Sequence, residues 1–258
     1  MGKYEDFLRQ ASLLEESLKN IWRDTLILKE EIEKFIDQSS DDQLIDQSSD
    51  DDQSSLDDVK EFHIDNHILK GEVNNTYFEK LPYSTRGDEP RIITPRYILV
   101  HWTAGWTAES TLQYLEESRA GSYHIIIDRC GKIYNCMPLN YRAWHAGVSG
   151  WEGYNDLNSH SIGIAFANRG FLYDRIEYIP NTNYKLKLKE IVGKKSSRNV
   201  PFPDAYYEEY TDEALNQFEK LVQVIRSFYG KLPVIGHYHV SPGRKADPGP
   251  LFDFTKYL

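Results

Sequence analysis

Val234-Ile-Gly-His-Tyr-His-Val-Ser-Pro-Gly-Arg-Lys-Ala-Asp-Pro-Gly-Pro250, taken with Tyr97-Ile-Leu-Val-His-Trp-Thr-Ala-Gly105, decides the fold of this chain. Each stretch opens with a short apolar run of the kind that forms a buried strand. Each then releases a histidine, His101 or His237, where small or turn-forming residues begin. In open α/β sheets the ligand crevice lies beyond the carboxyl ends of the strands, so histidines at two such ends can converge. Asp247 follows ten residues after His237 in a loop stiffened by Pro242, Pro248 and Pro250. The proline after Asp247 favours extended backbone there.

Two imidazoles and one carboxylate make a three-ligand zinc site, with the fourth tetrahedral position left for water as in catalytic centres. Lys245 stands two residues before Asp247, and in an extended segment residues two apart share a side. A lysine beside a dication is unfavourable unless it has a task. The natural one is to stabilise an oxyanion developing on a metal-polarised carbonyl. Taken singly these signals are weak, because a histidine after a strand is more often a hydrogen-bonded structural residue and Asp-Pro-Gly-Pro alone is a turn. Their conjunction carries the reading.

Four ordered blocks widen it: His101-Trp-Thr-Ala-Gly105; Ser122-Tyr-His-Ile-Ile-Ile-Asp-Arg-Cys-Gly-Lys-Ile133; Arg142-Ala-Trp-His-Ala-Gly-Val-Ser149 followed by Asn158-Ser-His-Ser-Ile-Gly-Ile164; and Gly236 through Pro250. Together they resemble the zinc-dependent N-acetylmuramoyl-L-alanine amidases of the second type, a family that includes phage lysozyme-type amidases, cell-wall recycling amidases and peptidoglycan recognition proteins. The resemblance covers roughly residues 90 to 258. It implies zinc held by His101, His237 and Asp247, with peptidoglycan or muropeptides as the substrate.

In the recycling branch, the resemblance implies a catalytic glutamate on the strand that here reads Ser161-Ile-Gly-Ile-Ala165. Ala165 stands at that position and can neither take nor give a proton. In the phage lysozyme-type branch the acid/base group is a tyrosine, and the matching residue is Tyr123. Lys245 matches the lysine of both branches. The tyrosine variant is therefore the expected one, with Lys245 and Tyr123 catalytic. Tyr123 could instead be a core aromatic on an alternating strand. A second reading is a muropeptide-binding protein that keeps zinc but is catalytically impaired, because Ala165 replaces the glutamate. His145 matches a substrate-pocket histidine, and Trp102 and Trp144 are expected either to wall the groove or to sit in the core. His124, beside Tyr123, is assigned to structure, and His239 is disfavoured as a ligand in place of His237.

The chain has 258 residues, enough for one ordinary domain plus an appendage, and 40% hydrophobic residues are enough for a sizeable core. The net charge of −10 is uneven: residues 1–60 hold 7 Lys/Arg against 17 Asp/Glu, and the remainder holds 23 of each. No basic patch suggests nucleic acid as the main partner, and the acidic part would be repelled by anionic lipid. Cys130 and Cys136 are too few for a disulfide framework. If Cys130 and Gly131 form a two-residue turn, Cys136 falls opposite Ile125 and the thiols do not face each other. With no transmembrane run and no signal-peptide pattern, synthesis in the cytoplasm is expected, with delivery to a cell wall by lysis, a holin or a dedicated secretion route.

Three segments are expected. Residues 1–36 carry Phe7, Ala11, Leu14, Leu18, Ile21, Thr25, Leu28, Ile32 and Phe35 at alternating spacings of four and three, a coiled-coil-like seam. That helix, within residues 4–36, would self-associate, dock a partner helix, or lie on its own domain. Residues 37–58 hold most of a tandem repeat that begins at Ile36 and again at Ile45, an acidic linker without the glycine and terminal glutamate of an EF-hand loop. Residues 59–258 form the amidase domain, with its core from about 90. The expected fold class is α/β, a mixed central β-sheet flanked by helices and preceded by the N-terminal helical segment. Within it, a strand is expected over Phe62–Leu69, an edge strand near Ile92-Ile93, a helix over Glu109–Glu117, a hairpin at 123–135, a buried strand over Ser161–Phe166 and a helix over Asp212–Tyr229. A long Tyr-, Pro- and Lys-rich insertion over Gly170–Tyr210 is of the kind that walls a binding site.

Overall fold

A computed structural model of the chain describes residues 62–71, 73 and 91–257. The expected N-terminal helix, the acidic linker and the loop through Pro82 and Gly87 lie outside the described residues. In chain order the strands are β1 (His63–Asp65), β2 (Ile68–Lys70), β3 (Tyr97–Trp102), β4 (Ile125–Ile127), β5 (Ile133–Asn135), β6 (Gly150–Trp151), β7 (Tyr154–Asn155), β8 (Ser161–Phe166), β9 (Phe171–Leu172), β10 (Leu188–Ile191), β11 (Ala205–Glu208) and β12 (Val234–Gly236). The helices are α1 (Ala108–Ser118), α2 (Asp212–Tyr229) and the single turn α3 (His237–Val240).

The central sheet runs β12-β3-β8-β4-β5, with the first four strands parallel and β5 antiparallel at one edge. Parallel strands covered on both faces are apolar throughout rather than alternating. β8 accordingly reads Ser-Ile-Gly-Ile-Ala-Phe and is buried along its whole length.

The two faces bury different partners. Ile98, Val100, Ile125, Ile127, Ile162 and Ile164 point toward α2, which returns Ala214, Phe218, Leu221, Val222 and Ile225 from one helical stripe. Each fully buried large side chain of this kind is worth about 1.5–3 kcal/mol, so this stripe alone holds α2 to the sheet. Thr211 Oγ1 caps the helix by accepting from Ala214 N at 3.2 Å, and Gly230, with φ of 88°, ends it. On the opposite face α1 packs Ala108, Leu112 and Leu115 against Ile126, Tyr134 and Ala165. The α/β reading, the strand Ser161–Phe166 and the two helices therefore stand as expected, to within a residue at each end of α1.

Four local expectations are corrected. The segment near Phe62–Leu69 is a hairpin, β1 and β2, not one strand. Asn66 and His67 both have positive φ, the conformation that a two-residue turn of matching twist requires. Near Ile92 there is only an isolated bridge to Tyr141, not an edge strand. The β4–β5 loop has three residues, Arg129-Cys130-Gly131, closed by Asp128 N to Lys132 O at 2.8 Å, with Gly131 at a φ of 83°. Asn135, not Cys136, thus opposes Ile125. The thiols remain apart, Cys130 exposed and Cys136 buried.

The insertion is not a bare loop. It holds a sheet of its own, β10-β11-β9, anchored to the domain by a buried ion pair. Arg129 Nε and Nη2 reach Glu208 Oε1 and Oε2 at 2.6 and 2.9 Å, and Arg169 N donates to Glu208 Oε2 at 2.5 Å. Among the described residues no helix is long and apolar enough to cross a membrane.

Candidate metal centre

Adjacent parallel strands bring the two histidines together. In register, Gly236 of β12 lies beside Val100 of β3, so the next residues along the chain are His237, which opens α3, and His101, still on β3. Tyr238 N then donates to Asp247 O at 2.9 Å, which folds the proline-rich loop back beside His237. Gly236 permits that approach, because a Cβ there would stand 2.7 Å from Pro248 Cδ and 2.8 Å from Phe254 Cζ.

The result is a triangle of donor atoms. His101 Nδ1 lies 3.0 Å from His237 Nδ1 and 2.8 Å from Asp247 Oδ2, and His237 Nδ1 lies 2.9 Å from the same oxygen. All three residues are buried. The outer nitrogens are occupied in a way that fixes the protons. His237 Nε2 is 2.9 Å from Ala146 O, an acceptor only, so the ring carries its proton there and turns a lone pair toward Asp247. His101 Nε2 faces His145 Nδ1 at 2.9 Å, and donation along that line likewise leaves the His101 Nδ1 lone pair facing inward. Two lone pairs and a carboxylate aimed at one point call for a cation. Zinc bonds of about 2.0–2.1 Å set tetrahedral donors about 3.3 Å apart, so the set fits zinc with an opening of a few tenths of an ångström.

Electrostatics agree with that assignment. Burial, then the His237 charge, lowers the His101 pKa to about 4 against the opposing pull of Asp247, so its imidazole is neutral near pH 7. Burial works against ionising Asp247, but the adjoining His237 and His101 rings outweigh it and hold the carboxyl well below its usual range. The Tyr123 phenol is pushed up by burial and then by the Asp247 charge, which keeps it a hydroxyl donor.

The other sequence candidates are placed as follows. The Tyr123 ring centroid is 5.3 Å from that of His101, and Tyr123 is half-buried against the α1 cluster. Lys245 is exposed, lines the same cavity as Asp247, and its charge is felt at His101. Trp102 is wedged between Gly170 and Gly249, where a Cβ would stand 2.4 Å from the indole in either case, and it also lines that cavity. Trp144 lies under the Arg142 guanidinium at 3.7 Å, and neither it nor His145 is among the cavity's lining residues. His145 is buried behind His101, with its backbone N and that of Ala146 both donating to Asn158 Oδ1 at 2.8 and 2.7 Å. His124 is fully engaged, accepting from Gly163 N and donating to Tyr141 O, and His239 Nδ1 accepts from Gly236 N, away from the triangle.

Sequence reasoning passed over Arg244. Its Nη2 donates to Ala146 O at 2.6 Å, Val148 O at 2.9 Å and Ser241 Oγ at 2.6 Å, clamping the carbonyl that orients His237. Its place next to Lys245 was the available signal.

A mixed sheet here presents, at its strand ends, a buried His-His-Asp triangle of the kind that could hold a metal ion, with a lysine on the rim. The chain belongs to the N-acetylmuramoyl-L-alanine amidase family, whose model matches residues 91–250. It is 33% identical over 140 residues to the 1,6-anhydro-N-acetylmuramyl-L-alanine amidase AmpD of Haemophilus influenzae, covering 53% of this chain and 56% of that protein. It is 28% identical over 175 residues to the N-acetylmuramoyl-L-alanine amidase AmiD of Escherichia coli K12, covering 65% of this chain and 52% of that one. The chain thus spans about half the length of the curated relatives it matches. Among solved structures, the complex of E. coli AmiD with anhydro-N-acetylmuramic acid-L-Ala-D-gamma-Glu-L-Lys aligns with 25% identity and a TM-score of 0.48, covering 67% of this chain and 59% of that one.

Proposed function

We propose that this chain hydrolyses the amide between N-acetylmuramic acid and L-alanine in peptidoglycan or muropeptides, using one zinc ion held by His101, His237 and Asp247. The observation that carries this is the 2.9 Å contact between His237 Nε2 and the Ala146 carbonyl: that oxygen can only accept, so the ring donates there and presents its other nitrogen as a ligand beside Asp247. Family membership supplies the bond to be cut.

Bound there, zinc would polarise the lactyl carbonyl and bring the pKa of a water toward neutrality. The chain's own groups do the rest. Lys245 sets a positive charge at the cavity beside Asp247, where negative charge develops on the carbonyl oxygen. Tyr123, held as a phenol by burial, would hand a proton to the departing alanine nitrogen. His145 holds the His101 ring through its Nε2, a positioning role.

The impaired-binder reading rests on one observation: Ala165 lies directly beside His101 in register and is fully buried, offering no proton. Mass spectrometry of products from purified sacculi and from soluble muropeptides, with chelator and after zinc is restored, separates the two. Zinc-dependent release of stem peptide supports the hydrolase. Tight muropeptide binding without release, with hydrolysis appearing in Ala165→Glu, supports the binder and removes Tyr123 from its role.

A further inference from the structure

We propose that Asn158 positions both zinc-binding histidines: its one side-chain oxygen holds the two consecutive residues whose own groups orient His101 and His237. The proposal rests on the hydrolase reading above for the ion, and adds to it which residue sets the angle of the two imidazoles.

Asn158 is 2% exposed and sits in a single 3₁₀ turn, Leu157–Ser159, just before β8. Its Oδ1 accepts from His145 N at 2.8 Å and from Ala146 N at 2.7 Å. Backbone N–H groups only donate, so the amide atom that faces them is the oxygen, and both of its lone pairs are taken. From those two residues the constraint divides. The His145 ring reaches His101 Nε2 through its Nδ1 at 2.9 Å, and the Ala146 carbonyl meets His237 Nε2 at 2.9 Å. One oxygen therefore fixes the short stretch of backbone from which both ligand rings are oriented.

The amide is itself held. Its Nδ2 donates to Asp156 Oδ1 at 3.2 Å, which keeps the oxygen turned toward the backbone. Asp156 is fixed in turn by Arg142 Nη2, 3.0 Å from both carboxylate oxygens, and by Ser159 Oγ, which donates to Oδ2 at 2.7 Å. A buried network is rigid when every member is satisfied, whereas a buried polar group left without a partner keeps its full desolvation penalty. A residue at 158 that cannot accept would leave two buried N–H groups orphaned side by side. The backbone at 145–146 would then turn to find other partners, and both imidazoles would turn with it.

The test is zinc affinity by chelator competition in wild type, in Asn158→Leu, and in the exchange that combines Asp156→Asn with Asn158→Asp. Leucine keeps the volume and removes the acceptor, whereas the exchange keeps an accepting oxygen at 158 and lets residue 156 donate to it. Asn158→Leu is expected to bind zinc about 10–100-fold more weakly, the range for groups that orient metal-bound histidines. The exchange is expected to recover most of that loss. Glu208→Ala breaks a buried pair that reaches neither histidine, so it controls for lost stability and is expected to keep wild-type zinc affinity. Wild-type affinity in Asn158→Leu, an exchange that recovers nothing, or an equal loss in Glu208→Ala overturns the positioning role and leaves the hydrolase standing. Should thermal unfolding show that Asn158→Leu does not fold, Asp156→Ala decides. That variant frees the amide to rotate, so weaker zinc binding supports the role and unchanged binding overturns it. If the wild type binds no zinc, the hydrolase reading falls. The role is then decided by the ring-nitrogen NMR shifts of His101 and His237 in the metal-free chain: single tautomers in wild type that become mixed in Asn158→Leu support it, and the same pattern in both overturns it.

Discussion

His237 Nε2 lies 2.9 Å from the carbonyl oxygen of Ala146, and that contact leaves the opposite ring nitrogen facing Asp247 as the proposed zinc ligand. Arg244 Nη2 reaches the same oxygen at 2.6 Å and fixes it from outside. Groups that orient a metal-bound histidine typically contribute about 10–100-fold in metal affinity. Arg244→Met is therefore expected to weaken zinc binding by about that factor in a chelator competition assay. Unchanged affinity would remove Arg244 from the site.

Tyr123→Phe keeps the ring that packs beside His101 and deletes only the hydroxyl. Loss of a general acid costs about 10²–10⁴-fold in rate. The variant is expected to lose activity on that scale while binding zinc as tightly as the wild type. Full activity in the variant would show that protons pass through another group.

Gly163 leaves room for His145, since a Cβ there would stand 2.5 Å from the imidazole. Gly163→Ala must push that ring against His101, its hydrogen-bond partner. Zinc affinity should fall together with activity, although residue 163 touches neither substrate nor metal. A variant with wild-type zinc binding would show that His145 does not position His101.

Glu208 and Arg129 are both buried, and their ion pair joins the insertion's last strand to the β4–β5 loop. Removing one partner of a buried pair costs about 3–5 kcal/mol, because the other charge is left stranded. Glu208→Ala should lower stability by that amount in denaturant unfolding, whereas the double replacement by methionines should recover much of it. A single variant as stable as the wild type would mean that water reaches Arg129.

Acid sensitivity follows from His124. Burial lowers its pKa to about 4, with the Tyr141 carbonyl opposing and the His101 charge adding to the shift. The unfolded chain takes up that proton near pH 6.5, before the folded one does. Stability is therefore full above about pH 6.5 and is lost as pH falls toward 4, by roughly 3 kcal/mol from this residue. His239, lowered to about 4 by burial and then by Arg198, acts in the same direction. Thermal unfolding of the metal-free chain should show Tm falling across that window. A flat Tm down to pH 4 would contradict the buried placement of His124.

The sheet was legible because its strands are buried on both faces, so Tyr97–Trp102 and Ser161–Phe166 stand out as continuous apolar runs between turn signals. The helix Asp212–Tyr229 was legible from one apolar stripe that ends at a glycine. His101 and His237 stood out because each ends an apolar run, and Asp247 because it lies in a proline-stiffened loop, but it was the resemblance of four ordered blocks that grouped them. Turn geometry was harder. The three-residue loop at Arg129–Gly131 leaves one more residue unpaired than a two-residue loop would, and that single residue shifted the whole pairing. The insertion's sheet was hidden because its strands are short and its pairing crosses many residues, so no local period reveals it. The tie between His145 and His101 spans 44 positions and is visible only in three dimensions.

The proposed centre is a single zinc ion gripped by two imidazoles and one carboxylate. Zinc K-edge X-ray absorption on the chain loaded with one equivalent of metal tests it most directly. A four-coordinate shell with two imidazole nitrogens and two oxygens, at about 2.0–2.1 Å, is expected. An all-oxygen shell, or one with a single imidazole, would contradict it.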